Sequence, residues 1–344
     1  MNAKTKAIAL VSGGLDSALA VAVVKRLGVD VLALHASIGY SPGFMRAEIA
    51  GGKPADLAAA EAARMSAAFG VPVRILDLVD EYFGVLLRPR HGYGANANPC
   101  IDCHLFMIRK AKEVMEREGA RFVFTGEVLG QRPMSQNYKA LELIDRESGL
   151  EGLLVRPLSA KLLPETLAEK NGWIARDGLL DIQGRSRRRQ MELATELGVT
   201  GYASPAGGCM LTDENYAGKL KDWMRHREDA ELTHEETLLF SVGRHFRLSP
   251  SVKAVVGRRE AENRYLERAW RAEWLAMPVD VPGPTVLVQG PATDENLRIG
   301  AALVARYSDA KSSPSVKVAV RKGEEEMVFD VAPAPDELIE PLRI

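Results

Sequence analysis

The chain has 344 residues, 45 Lys+Arg against 46 Asp+Glu, a net charge of −1 and 46% hydrophobic residues. That length suggests two domains, and the composition is that of a globular protein with ample core, which excludes disordered and collagen-like chains. No apolar run approaches the roughly 18 residues of a membrane span, and the start at Met1 lacks a signal-peptide pattern, so a cytoplasmic location without membrane contact is expected. With charge near zero, any nucleic-acid partner must be met by a local basic patch.

In chain order, residues 6–11 are a short apolar run, as a buried parallel strand requires. Ser12-Gly13-Gly14-Leu15-Asp16-Ser17 is a turn, and residues 18–27 predict a helix stopped by Gly28. Residues 29–34 are the next strand, 54–69 a helix opened by Pro54, and 71–78 a third strand. A helix is expected over 103–118, a fourth strand over 122–125 and a fifth over 153–155. Strands alternating with helices imply a parallel, doubly wound sheet, which binds ligands beyond the carboxyl ends of its strands. The pattern changes after about residue 225. Residues 244–274 are polar and basic, 278–284 are a proline-rich connector, and a strand, a helix and a strand follow at 285–288, 293–307 and 315–320. The expected domains are 1–225, α/β, and 226–344, a smaller α+β unit.

The turn at Ser12, Gly13, Gly14, Asp16 and Ser17 has the chemistry of a phosphate cradle. Glycines let backbone N–H groups approach an anion, hydroxyls add donors, and the helix dipole favours negative charge. A plain glycine-rich turn is the bland alternative. The string lacks the G-x-x-x-x-G-K-[ST] of a Walker loop.

The full string resembles the S-G-G-x-D-S signature of the PP-loop ATP pyrophosphatases, whose fold is of the adenine nucleotide α-hydrolase type. That resemblance implies cleavage of ATP to AMP and pyrophosphate, with Mg²⁺ screening the phosphates and an acceptor oxygen adenylated. Thr125-Gly126-Glu127-Val128-Leu129-Gly130-Gln131, then Ser135-Gln136 and Arg156-Pro157-Leu158, resemble the T-G-E-x-L-G-Q…S-Q and R-P-L strings of the 4-thiouridine synthases. Gly126 is thereby placed beside the nucleotide. The resemblance covers residues 5–215. N-terminal RNA-binding domains and a C-terminal sulfur-carrier domain of the long synthases are not expected here, and the C-terminal segment faintly resembles the NFACT-type RNA-associated module.

Three cysteines, Cys100, Cys103 and Cys209, are an odd number, which argues against a disulfide framework and for metal or sulfur chemistry. Asn98-Pro99-Cys100-Ile101-Asp102-Cys103-His104 resembles the N-P-D-x-x-C string of the bacterial 2-thiouridylases, with Cys100 in place of the aspartate and Cys209 as the distant cysteine. Buried apolar cysteines are the plain alternative, but a thiol at a helix N-terminus is expected to have a lowered pKa. Three thiolates and an open site suit a 4Fe-4S cluster on Cys100, Cys103 and Cys209. Zinc, with His104 as an awkward fourth ligand, and persulfide chemistry on Cys209 resolved by Cys103 are the alternatives.

Arg185, Arg187, Arg188 and Arg189 form one basic run. Arg244, His245, Arg247, Lys253, Arg258 and Arg259, followed by Tyr265, Trp270 and Trp274, form another. Arginine with aromatics suits RNA, although a charge run is commonly a solvated face. His35 ends the second strand near the loop and is read as a core or rim histidine. The expected function is ATP-dependent tRNA thiolation, forming 4-thiouridine, with Asp16, Cys103 and Cys209 catalytic. The sulfur donor is sulfide or a cysteine desulfurase system. The competing readings are a small-molecule PP-loop ligase with a zinc-binding C-x-x-C and a non-catalytic RNA-binding protein. Intact Asp16 and Ser17 speak against the last.

Overall fold

The computed structural model describes residues 4–202, 208–226, 231–270 and 272–344. The chain divides into two compact units, one of Met1–Pro42 with Pro54–Cys209 and one of Gly43–Lys53 with Met210–Ile344.

The first unit contains β1 (Lys6–Leu10), α1 (Leu15–Arg26) and β2 (Asp30–Ser37). After the segment that holds α2 (Pro42–Ile49), it continues with α3 (Pro54–Phe69), β3 (Val73–Asp77), α4 (Val79–Leu87), α5 (Cys100–Arg117) and β4 (Phe122–Thr125). It ends with α6 (Tyr138–Ser148), β5 (Leu154–Val155), α7 (Leu167–Lys170) and α8 (Arg188–Leu197). Its sheet has the order β3-β2-β1-β4-β5, and every pairing is parallel. The central strand β1 is covered on both faces, so its Ala7, Ile8 and Ala9 are wholly buried and its sequence runs apolar without alternation. Ala9 is in register with Ala33 of β2 and Phe124 of β4. The chain passes from β1 to β2 on one side and later to β4 on the other. The crevice past the carboxyl ends of β1 and β4 is therefore the switch point where such sheets take ligands.

Two helices start earlier than the sequence indicates. α1 begins at Leu15, not residue 18, so Asp16 and Ser17 lie in its first turn. α5 begins at Cys100, not Cys103, because Pro99 stands just before the first turn and cannot continue a helix backwards.

The second unit holds α2, α9 (Glu214–His226), α10 (His234–Leu239), β6 (Arg244–Ser249), β7 (Val252–Val256), α11 (Glu260–Ala269), β8 (Trp274–Pro278), β9 (Val286–Gln289), α12 (Asp294–Tyr307), β10 (Val316–Lys322), β11 (Glu325–Val331) and α13 (Asp336–Ile339). Its antiparallel sheet has the order β11-β10-β8-β9-β7-β6. One face packs on α12 through Val288, Ala301, Val304 and Val318. The stretch read as polar and basic thus contains two strands, in which Phe246, Val252, Ala254 and Val256 supply the apolar face. Residues 210–226 group with this unit, whereas the sequence pattern places the change near 225. The reason is visible in α9: the Tyr216 hydroxyl donates to the Thr237 carbonyl at 2.9 Å, and Arg247 pairs with Asp222. Among the described residues no helix is long and apolar enough to cross a membrane.

Candidate functional site

The turn between β1 and α1 is shaped by what surrounds it. Gly13 has φ +76°, a left-handed conformation that favours glycine, and the tips of Arg64 and Glu61 crowd it, 2.8 Å and 3.1 Å from where a Cβ would lie. Gly14 is the N-cap of α1 and has no side chain to satisfy the first-turn N–H groups, which leaves them for a bound anion. Ser17 Oγ donates to the Gly14 carbonyl at 2.9 Å and lies 3.5 Å from Ser12 Oγ, while Ser12 itself is exposed. His35 bonds through Nδ1 to the Val11 carbonyl at 3.0 Å, just before the loop, and burial lowers its pKa.

The loop after β4 closes over this turn. A Cβ on Gly126 would stand 2.6 Å from the Ser17 amide nitrogen, 2.7 Å from the Asp16 carbonyl carbon and 2.8 Å from its oxygen. The two chain segments therefore touch backbone to backbone, which only glycine permits at Gly126. Gln131 Nε2 donates to Asp16 Oδ2 at 3.2 Å, and Arg187 Nη2 stands 4.0 Å from the same oxygen. Asp16 Oδ1 is buried with no hydrogen-bond partner among the described residues. Burial raises the Asp16 pKa, against the opposing pull of Gln131, Arg187, Gln190 and Arg132.

Glu127, next in the string, is a buried anchor. It accepts from His104 Nδ1 at 2.7 Å, Thr125 Oγ1 at 3.0 Å and Arg156 Nε at 3.0 Å, and Arg156 also grips Asp145 at 2.7 Å and 3.0 Å. Burial works against the Glu127 carboxylate, but Arg156 and His104 outweigh it and pull the pKa down to about 2. A second clamp runs through Ser159, whose Oγ accepts from the Leu129 amide at 3.0 Å and donates to the Ile182 carbonyl at 2.6 Å. The R-P-L segment therefore fixes the T-G-E loop from behind.

The three cysteines are half-buried thiols. Asn98 Nδ2 donates to Cys100 Sγ at 3.1 Å. Cys103 sits one turn into α5 against the Tyr82 hydroxyl and feels the charges of Cys209 and Cys100. The expectation of a lowered thiol pKa fails there. Desolvation dominates and, helped by the neighbouring sulfurs, pushes Cys103 up to about 12 despite Tyr82 and Arg132. Among the described residues no three His, Cys, Asp or Glu side chains close on a point that could hold a single metal ion. His104, the sequence's candidate fourth ligand for zinc, has its Nδ1 engaged by Glu127.

The basic runs separate. Arg187 turns to Asp16, while Arg188 pairs with Glu192 at 3.1 Å and Arg189 with Glu196 at 2.6 Å on the exposed face of α8. The second run divides: Arg244 and Arg259 are exposed, with Arg244 over the Tyr307 ring at 4.7 Å from its centroid, and the rest turn inward or are paired. His245 is 1% and Lys253 4% exposed, Arg247 is held by Asp222, Arg258 by Glu262, and Tyr265 is buried. Strand alternation puts His245 and Lys253 on the face opposite Phe246 and Ala254, and that face is covered too, His245 bonding to the Leu239 and Val242 carbonyls and Lys253 lying over the Phe240 ring. Sequence reasoning missed Arg64 and Glu61 over Gly13, the His104–Glu127 contact, Tyr82 and Arg132. Gln131, Arg156 and, taken singly, His104 and Glu127 lay within strings already singled out.

A strand, a glycine turn and a helix N-terminus, closed over by a second glycine loop at the sheet's switch point, define a PP-loop nucleotide-binding domain. Residues 2–161 match the family model described as thiamine biosynthesis protein (ThiI), and residues 243–342 match that described as NFACT protein RNA binding domain. Residues 2–161 are thus similar to PP-loop proteins of the thiouridine-synthase-like group, and residues 243–342 to the NFACT-type RNA-binding module. It is similar to the tRNA-specific 2-thiouridylase MnmA of Lachnoclostridium phytofermentans, 22% identical over 231 residues, which are 63% of this chain and 59% of that protein. The corresponding protein of Mycolicibacterium paratuberculosis is 28% identical over 107 residues, 29% of this chain and 28% of its own length. The chain therefore spans little more than half of the first relative and under a third of the second. Among solved structures, a 4-thiouridine synthetase–RNA complex with bound ATP is 20% identical, covering 57% of this chain and 52% of that one, with a TM-score of 0.29.

Proposed function

We propose that the chain uses ATP to adenylate a uridine carbonyl oxygen of tRNA and then replaces that oxygen with sulfur, forming 4-thiouridine. The observation that carries this reading is that one loop, residues 130–136, reaches both the phosphate turn, through Gln131 on Asp16, and the cysteine side, where Met134 meets the Asn98 amide that bonds Cys100. A phosphate cradle alone fits any PP-loop ligase, whereas a cradle joined to three thiols fits sulfur transfer.

The residues suit ATP. The amides of Gly13 and Gly14 and the hydroxyls of Ser12 and Ser17 take the pyrophosphate end, Gly126 lets the second loop close against that turn, and the unpartnered Asp16 Oδ1 suits a Mg²⁺ that screens the phosphates. The uridine oxygen bonds to the α-phosphorus as the bond to pyrophosphate breaks. A sulfur nucleophile then adds to the ring carbon, and AMP leaves with the oxygen.

Cys100, Cys103 and Cys209 present three soft donors with no carboxylate among them, which suits a 4Fe-4S cluster better than zinc. Such a cluster, when bound, supplies an open iron for exogenous sulfide. The protein's own part is to converge the thiols, shield them with Tyr82 and orient Cys100 through Asn98. The lack of a described three-ligand point favours a second reading, in which a persulfide on Cys209 delivers sulfur and Cys103 resolves it as a disulfide, which a cellular thiol reductant must then reduce.

One experiment tests both. The anaerobically purified protein is given ATP, sulfide and tRNA, its iron is measured, and the digested tRNA is examined by nucleoside mass spectrometry. AMP, a thiouridine that co-elutes with authentic 4-thiouridine and not with its equal-mass 2-thio isomer, and about four irons per chain are expected, with Cys100→Ser as damaging as Cys103→Ser or Cys209→Ser. ADP as product, or unmodified tRNA, refutes thiolation. A fully active iron-free protein with a mild Cys100→Ser variant replaces the cluster with the persulfide.

A further inference from the structure

Residues 130–136 form a tight bridge. The Gly130 amide donates to the Gln136 carbonyl at 2.6 Å, and the Gln136 amide donates to the Arg132 carbonyl at 2.9 Å. One end is tied to the phosphate turn, since Gln131 Nε2 donates to Asp16 Oδ2 at 3.2 Å. The other end reaches the cysteine side, since Met134 Sδ lies 3.7 Å from Asn98 Nδ2, itself 3.1 Å from Cys100 Sγ. Arg132 stands on the span between these ties.

Its side chain is exposed, and among the described residues no carboxylate or carbonyl engages the guanidinium. Several other arginines of this unit are committed, Arg64 to Glu61, Arg156 to Glu127 and Asp145, Arg176 to Glu169, Arg188 to Glu192 and Arg189 to Glu196, and several among the described residues are not. An uncommitted arginine is ordinarily a solvated side chain. This one is carried on backbone fixed at both ends, to the phosphate turn by Gln131 on Asp16 and to the cysteine side by Met134 beside the Asn98 amide. Its charge therefore lies over the path between the cradle and the thiols.

We infer that Arg132 holds the α-phosphate of the adenylated substrate, keeping the AMP leaving group against the phosphate turn while sulfur arrives from the cysteine side. This rests on the thiolation reading. In the first half-reaction the substrate oxygen forms a bond to the α-phosphorus, and pyrophosphate leaves with the electron pair of the broken P–O bond. In the second, hydrosulfide adds to the ring carbon, the C–O bond breaks, AMP departs with that pair, and the sulfur's proton moves to the ring nitrogen that gave one up on adenylation. Nothing is oxidised or reduced. Negative charge grows on the α-phosphate oxygens in both halves. A guanidinium fork spans two such oxygens, where an ammonium offers only a point charge.

The test uses the full chain with ATP, tRNA and sulfide, reading pyrophosphate release and thionucleoside formation separately for wild type, Arg132→Ala and Arg132→Lys. Arg132→Ala is expected to lower thionucleoside formation by about 10²-fold or more at nearly unchanged KM for ATP and unchanged melting temperature. Methylguanidine is expected to restore part of that loss, and lysine to restore less than arginine. A wild-type rate in Arg132→Ala, or a loss that methylguanidine leaves untouched, overturns the inference. If wild type releases no pyrophosphate with tRNA, the thiolation reading falls and takes this role with it. A working wild type beside an unaffected Arg132→Ala overturns the arginine's role alone.

Discussion

Gly126→Ala should damage both stability and chemistry. The added Cβ would meet three backbone atoms of the first turn of α1, the nearest at 2.6 Å, where ordinary contact begins at 3.4 Å. Backbone cannot rotate away as a side-chain tip can, so β4's loop and the phosphate turn must part by about 0.8 Å, within the range where overpacking costs about 1–3 kcal/mol. For a unit near 200 residues each kcal/mol is worth roughly 2–4 °C in Tm, so a fall of about 2–12 °C is expected. A displacement near 1 Å at reacting groups costs about 10²-fold in rate, so pyrophosphate release should fall by that order. The matched comparison is Gly84→Ala in α4, where an added Cβ meets nothing within 4 Å. There the loss of unfolded-chain freedom should stabilise by about 0.4–1 kcal/mol. Urea and thermal melts read the first effect and a coupled pyrophosphate assay the second. If Gly126→Ala melts and turns over like wild type, the close backbone approach does not govern the site.

Glu127 should set part of the acid limb of stability. Its folded pKa, about 2, lies below the ordinary 4.5, so its contribution is complete above 4.5 and is lost as pH falls toward 2. Glu127→Gln should cost about 3–5 kcal/mol at pH 7, because Arg156 and His104 are deprived of a charged partner, and should lose less than wild type between pH 5 and 2. Parallel melting curves for the two would refute this. In the α8 run, Arg187→Glu should depress ATP turnover. Arg188→Glu with Arg189→Glu should spare turnover and make the log–log salt dependence of tRNA binding shallower by about 0.9 for each phosphate no longer neutralised. Titrations at several salt concentrations check the second, and equal effects of both changes on turnover would refute the division.

The parallel sheet was legible because burial on both faces writes continuous apolar runs such as residues 6–11, and glycine turns punctuate them. The phosphate turn was legible as a local string. The support behind it was not. His104 meets Glu127 across 23 positions, and Arg156 meets it across 29, so only the folded sheet brings them together. The second unit was misread at β6 and β7 because His245 and Lys253 are polar in sequence yet buried. His245 bonds to the carbonyls of Leu239 and Val242, and Lys253 lies over the Phe240 ring. Polarity counts alone miss such inward charges. The Cys103 thiol was misjudged because helix position is local, whereas its desolvation comes from chain distant in sequence.

The early segment 43–53 belongs to the later unit, so the polypeptide passes between units three times. Glu48 of α2 accepts from His234 Nε2 at 3.0 Å across 186 positions, and its carbonyl accepts from Arg268 Nη2 at 3.2 Å across 220. In time, this means that a piece leaving the ribosome early must wait for much later chain before its buried carboxylate finds a partner. No single cut yields either unit whole, and assembly of the second unit is a late event that the first unit's own strand order does not share.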